Sequence, residues 1–104
     1  MNEAEIHIIR ALQIHPNYMD ARLNLALLLL KKNKINEATE QLIYILRYNS
    51  KLYQAYYLLG KIASIQGKYN EAIQNYQKAL SINPDFDIAK NDLNNILSRQ
   101  REMP

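Results

Sequence analysis

The chain has 104 residues and 0 Cys, which suits one thin-cored domain and excludes disulfides and thiolate metal sites. Its 2 Gly and 3 Pro are too few for a β protein full of tight turns. The net charge of +3 is spread along the chain. It gives no concentrated basic face for nucleic acid, and the cluster Lys31, Lys32 and Lys34 reads as a solvated helix end.

Apolar spacing predicts helices at about 3–14, 19–32, 36–48, 53–66, 70–82 and 87–101. In the first, Ala4, Ile8, Ala11 and Leu12 share one face. Glu3, Glu5 and His7 stand where a signal peptide would need a basic start and an apolar run, so a cytoplasmic location is expected. Pro16 marks the end of this helix. In the second, Leu25 to Leu30 is the longest apolar stretch, far too short for a bilayer, and no membrane partner is expected. Asn33 and, later, Gly67 fall between helices, where a left-handed backbone is easiest for Asn or Gly. The third helix places Ala38, Leu42, Ile45 and Leu46 on one face, and the fifth places Ala72, Tyr76, Ala79 and Leu80 there. Asn36 and Asn70 suit N-caps, and Glu37 and Glu71 suit the positive end of the helix dipole. Pro84 closes the fifth helix, and Asp85 or Asp87 suits the N-cap of the sixth.

These helices repeat. Asn-Glu-Ala occurs at residues 2–4, 36–38 and 70–72, a step of 34 both times. Leu12, Leu46 and Leu80 keep the step, as do Ala21, Ala55 and Ala89, and Leu25, Leu59 and Leu93. Ile14, Tyr48 and Ile82 form a further apolar column. A fixed period of this length is the mark of a solenoid.

The residues Tyr56-Tyr57-x-Leu59-Gly60, then Gly67-Lys68-Tyr69-Asn70-Glu71-Ala72, then Tyr76, Ala79-Leu80 and Pro84, resemble the tetratricopeptide repeat family. Residues 19–52 are a looser copy, with Ala26 for Gly60 and Ser50 for Pro84. Residues 2–18 look like the second helix of a repeat, and residues 87–101 look like a closing helix. The resemblance implies a single all-α domain over residues 1–104. It would be a right-handed α-solenoid of antiparallel hairpins, with a half repeat, two full repeats and a capping helix. Gly60, having no side chain, lets its hairpin partner approach near Tyr69 to Ala72. Asn94 holds that column in the last helix, where a polar side chain suggests that no partner helix follows.

The resemblance further implies a protein or peptide partner bound in a concave groove lined by the first helix of each hairpin. By that reading the groove residues are Asp20, Leu23, Asn24, Leu27, Leu30 and Lys31, then Gln54, Tyr57, Leu58, Lys61, Ser64 and Ile65, and then Ile88, Asn91 and Asn95. The family's clamp for acidic tails is incomplete here: its basic columns hold Leu23, Tyr57 and Ile88, and Asp92 sits where an Arg would be wanted. The helix from Ala21 to Leu30 is apolar nearly all round, which expects burial on every side. On residues 3–14, Ile8, Ala11 and Leu12 form the face that a missing first helix would cover. Ile6 and Ile9 add apolar surface on other sides, so a homodimer through this helix is expected.

No catalytic constellation is legible. His7 and His15 lack zinc-helix spacing and acidic partners, and read as exposed. Asp85 and Asp87 lack the further ligands of a calcium loop. Gly60 and Gly67 form no phosphate loop. The tyrosines Tyr44, Tyr48, Tyr53, Tyr56, Tyr57, Tyr69 and Tyr76 have helical spacing and read as packing rather than a base-stacking platform. The expectation is a non-enzymatic interaction scaffold with no cofactor. The alternative is a self-associating or regulatory segment of a larger protein, one with an enzymatic domain elsewhere, which the half-repeat start favours.

Overall fold

The computed structural model describes residues 3–15 and 18–102. Among them are six α-helices, Glu3–Ile14 (α1), Met19–Lys31 (α2), Ile35–Tyr48 (α3), Tyr53–Ile65 (α4), Tyr69–Ile82 (α5) and Asp87–Glu102 (α6), and no strand. Asn2 of the repeated tripeptide and Pro16, expected to stop the first helix, lie outside the described residues.

The tight turns follow from two residues. Asn33 has φ 62° and Gly67 has φ 77°. Each ends a helix in the left-handed conformation. The Lys34 N–H donates to the Leu29 carbonyl at 2.8 Å and the Asn33 N–H to Leu30 at 3.0 Å. One repeat later, the Lys68 N–H donates to Ala63 at 2.8 Å and the Gly67 N–H to Ser64 at 3.1 Å. Otherwise orphaned carbonyls are thereby satisfied, and so short a connection folds the two helices back on each other.

The same bonds correct the expected caps. Lys34 and Lys68 are the N-cap residues, without side-chain capping bonds. Their carbonyls accept from Ala38 and Ala72 at 3.0 Å, so α3 and α5 begin directly after the turn. Asn36 and Asn70 therefore stand inside the first turn, where a side chain cannot cap. Asp87 is likewise the first residue of α6, not its cap. Asp85 instead donates its N–H to the Asn83 side-chain oxygen at 3.3 Å.

The chain forms two compact units, Met1–Ser50 and Lys51–Pro104. In the first, α1 packs on α2 and α2 on α3. Buried Leu25, Leu29 and Ala38 form its core, joined by half-buried Ile8, Leu12 and Leu30. Leu42 and Ile45 are fully buried. Ile8 and Leu12 thus face the following hairpin, which corrects their expected role as an uncovered face. The uncovered position is Ala4: it is exposed, whereas Ala38 and Ala72 in the same column are fully buried. In the second unit α4 packs on α5 and α5 on α6. Ala63, Ala72, Tyr76 and Ile96 make its core, with Tyr57, Tyr69, Ile73 and Leu93 against it.

Candidate interaction surface

In the second unit the geometry is set by Gly60. A Cβ at this position would lie 2.7 Å from the Tyr76 ring and 3.2 Å from the Ala72 carbonyl. The close approach expected of Gly60 is real, and its nearest partners are Ala72 and Tyr76 rather than Tyr69. Absence of a side chain on α4 admits the large ring from α5. Tyr57, one turn before Gly60, then packs beside that ring, with centroids 5.7 Å apart. Phe86 closes the other edge, in T-shaped contact with Tyr57 at 5.2 Å and with Tyr53 at 5.0 Å.

The Tyr57 hydroxyl donates to the Asp92 carboxylate at 2.7 Å. This bond ties α4 to α6 and gives Asp92 a role that sequence reading missed, where it counted only as an acidic residue in a place that would want an Arg. Burial raises the Tyr57 phenol above its ordinary pKa, and the bonded Asp92 carboxylate raises it further. Burial also pushes Tyr76 up to about 12, with the negative charge of Asp92 as the second cause. Both rings are held neutral well into the alkaline range.

Above this aromatic layer lies a cleft of about 230 Å³ between α4 and α6, lined by Lys61, Ser64, Ile65, Tyr76, Asp92, Asn95, Ile96 and Arg99. Four of these, Lys61, Ser64, Ile65 and Asn95, are residues assigned to the groove by sequence. Ile65 is 63 % exposed and Ile88 is 55 % exposed on the same two helices. Arg99 and Ile96 were not assigned, although Arg99 follows Asn95 by four and Ile96 follows Asp92 by four, the spacing of one helix face. Tyr57 is half-buried beneath the cleft, Leu58 is buried, and Asn91 is exposed on α6. The Gln54 side-chain oxygen is buried without a hydrogen-bond donor among the described residues.

In the first unit the groove column is less open. Leu27 is exposed, as are Asp20, Asn24 and Lys31, while Leu23 is half-buried. Leu30 belongs to the hairpin's own core. The nearly all-apolar α2 is therefore not buried on every side: Ala21, Leu25, Ala26 and Leu29 go inside, and Leu27 stays out. Arg22 lies over the Tyr44 ring, 3.5 Å from its centroid, and its guanidinium donates to the Gln41 side-chain oxygen at 2.8 Å. One repeat later the same two columns hold Tyr56 and Lys78, whose ammonium lies 5.6 Å from the ring centroid. The cation–aromatic contact persists with its two roles exchanged.

α1 carries the least expected feature. Glu5 is 2 % exposed and ion-paired with Lys32 at the end of α2. The hydrogen-bonded Lys32 ammonium holds the Glu5 carboxyl below its ordinary range, against the opposing effect of burial. Lys32 is thus no simple solvated helix end. Ile9 is half-buried and lines a second cleft, of about 220 Å³, between α1 and the α2–α3 hairpin. Ile6 stays exposed. His7 and His15 are exposed, and the tyrosines range from buried Tyr76 to exposed Tyr48. Among the described residues, no helix is long and apolar enough to cross a membrane, and no three His, Cys, Asp or Glu gather into a metal site.

The Tetratricopeptide repeat family model matches residues 53–86. Residues 53–86 are a tetratricopeptide repeat. The TPR fold extends over most of the chain. A solved structure of MamA is 23 % identical, with a TM-score of 0.78 over 91 % of this chain and 56 % of that one. YrrB, a TPR protein with an unusual peptide-binding site, is 22 % identical, with a TM-score of 0.76 over 82 % of this chain and 44 % of that one. The chain thus spans about half the length of the structures it matches. No curated protein matches it.

Proposed function

We propose that this chain is a protein-interaction scaffold that binds a peptide or partner helix on the first-helix faces of its TPR hairpins. One observation carries the reading: the α4–α6 cleft sets exposed aliphatic Ile65 beside the polar groups Lys61, Ser64, Asn95 and Arg99. An exposed apolar residue rimmed by polar ones suits docking of an apolar anchor with oriented hydrogen bonds around it. The base of the cleft is held rigid by the Tyr57–Asp92 bond, so little ordering cost remains for binding. In the first unit Leu27, Asn24 and Lys31 offer a smaller surface of the same kind. YrrB, of the same fold, is a TPR protein with an unusual peptide-binding site, and peptide recognition by this chain accords with that likeness.

The test is a selection from a random peptide library on the purified chain, followed by affinity measurement. Ile65→Glu should weaken the selected peptides by tenfold or more, the usual scale for a central anchor. Arg47→Glu, far from the cleft in sequence and exposed, should leave them unchanged. Equal affinities for wild type and Ile65→Glu would remove the cleft from the binding site.

A further inference from the structure

The α4–α6 cleft is lined by two cations, Lys61 and Arg99. Both are exposed, and neither takes part in an ion pair among the described residues. The carboxylate that lines the cleft, Asp92, is already engaged: its Oδ2 accepts the Tyr57 hydroxyl at 2.7 Å. The lining therefore carries two positive charges against one negative.

A second observation is the arrangement of these charges. Short connections join α5 to α4 and to α6, so α5 runs antiparallel to both, and α4 and α6 run in the same sense. The 34-residue step sets Lys61 level with Asn95, and Ile65 level with Arg99. The two levels are four residues apart, about 6 Å of helix rise. The cations thus stand on opposite walls at different levels, with exposed Ile65 facing the second of them. So arranged, they suit two anionic groups spaced along a segment better than one group at a chain end. Their columns are not those of the clamp for acidic tails, which hold Leu23, Tyr57, Ile88 and Asp92 here.

We propose that the partner of the α4–α6 cleft is an acidic segment within a polypeptide, in which Asp or Glu side chains flank an aliphatic residue. The carboxylates pair with Lys61 and Arg99, and the aliphatic side chain covers Ile65. Ser64 and Asn95 supply neutral hydrogen bonds beside them. This assignment rests on the docking reading of the same cleft and adds the charge of what docks there. Complementary charge chiefly sets which partner is accepted and how fast it arrives.

Peptides selected from a random library on the wild-type chain test this. Those that Ile65→Glu weakens should carry Asp or Glu on both sides of an aliphatic residue. Synthetic copies with amidated C-termini should bind as tightly as the free acids. Copies with Gln for Glu and Asn for Asp should bind several-fold more weakly, and the affinity of the acidic peptides should fall with added salt. Combining Lys61→Glu with Arg99→Glu should weaken the acidic peptides tenfold or more and leave the amide copies unchanged. Both positions are exposed, so helicity should be retained, which circular dichroism checks. Ile65-dependent peptides without acidic residues, or acidic peptides that bind the double charge variant unchanged, overturn the acidic partner and leave the docking cleft in place. Loss of binding on amidation also overturns it, by assigning the cations to a chain terminus. Peptides indifferent to Ile65→Glu remove the cleft, and the acidic partner with it.

Discussion

Gly60 of α4 lies so close to Tyr76 of α5 that a single added methyl would sit 2.7 Å from the ring. The corresponding pair one repeat earlier is Ala26 and Leu42, both fully buried. Where the second helix brings a large ring, the first gives up its side chain; where it brings a smaller leucine, a methyl is kept. The two hairpins fill the same crossing with different divisions of volume.

That compensation gives the first prediction. Gly60→Ala should destabilise the second unit by about 1–3 kcal/mol through overpacking, and Gly60→Leu by more. Combining Gly60→Ala with Tyr76→Leu, which copies the Ala26–Leu42 crossing, should cost less than the sum of the two single changes. Urea denaturation of the full cycle measures it. Additive losses would mean that the two positions do not share one space.

Asn33 and Gly67 adopt the same left-handed turn, so they should respond differently to alanine and glycine. Asn33→Gly should be neutral or slightly stabilising. Asn33→Ala and Gly67→Ala should each cost about 1 kcal/mol, the penalty of placing a Cβ in that conformation. Equal melting temperatures for Asn33→Gly and Asn33→Ala would contradict the observed φ of 62°.

Tyr57→Phe removes the donor to Asp92 while keeping the ring contacts with Tyr76 and Phe86. The expected loss is about 1–3 kcal/mol, since a carboxylate acceptor loses its partner. Adding Asp92→Leu should recover part of it, because no unsatisfied carboxylate is left. Thermal melting of the single and double variants decides the matter.

The raised phenols predict the alkaline behaviour. A folded-state pKa above the unfolded value means that the stability is intact below about 10, the ordinary tyrosine value, and is lost as pH climbs towards the folded values. Tyr76, pushed up to about 12, and Tyr57, raised as well, should therefore ionise only well above the ordinary tyrosine value. Ultraviolet titration should show a late phenolate step that coincides with loss of helicity. A single transition near the ordinary value would refute the buried assignment.

Glu5 acts in the opposite range. Its pKa is lowered by Lys32, so its contribution is present above the ordinary carboxylate value and disappears as pH falls through the lowered one. Acid should release α1 before the α4–α5 hairpin unfolds. Hydrogen exchange should show α1 amides losing protection first, and Glu5→Gln should already lack that protection at neutral pH. Acid loss of α1 protection identical in wild type and Glu5→Gln would assign the effect to other carboxylates.

The helices, their period and the two left-handed turns were legible in the sequence because each rests on local spacing or on one residue's backbone freedom. Gly60 was legible because an omitted side chain at a repeat position has a packing reason. The ion pair of buried Glu5 with part-exposed Lys32 was not, since two charged residues 27 positions apart read as surface until α1 is laid against α2. The caps were misplaced because Asn36 and Asn70 have cap chemistry, whereas the preceding turns start each helix earlier, at Ile35 and Tyr69. Half of the second-unit cleft was legible, Lys61, Ser64 and Ile65 from α4 and Asn95 from α6. The rest of the α6 side was not: Asp92 gains its meaning only from the Tyr57 hydroxyl, and Arg99 only from its place across the cleft from Lys61.

The proposed docking of a partner between α4 and α6 can be mapped residue by residue. Its most direct test is titration of a selected peptide into isotope-labelled chain, followed by amide chemical shifts. The largest changes should fall on residues 61–65 and 91–99, with α5 residues Gln74, Gln77 and Ser81 unaffected. Largest changes on α5, with 61–65 silent, would contradict it.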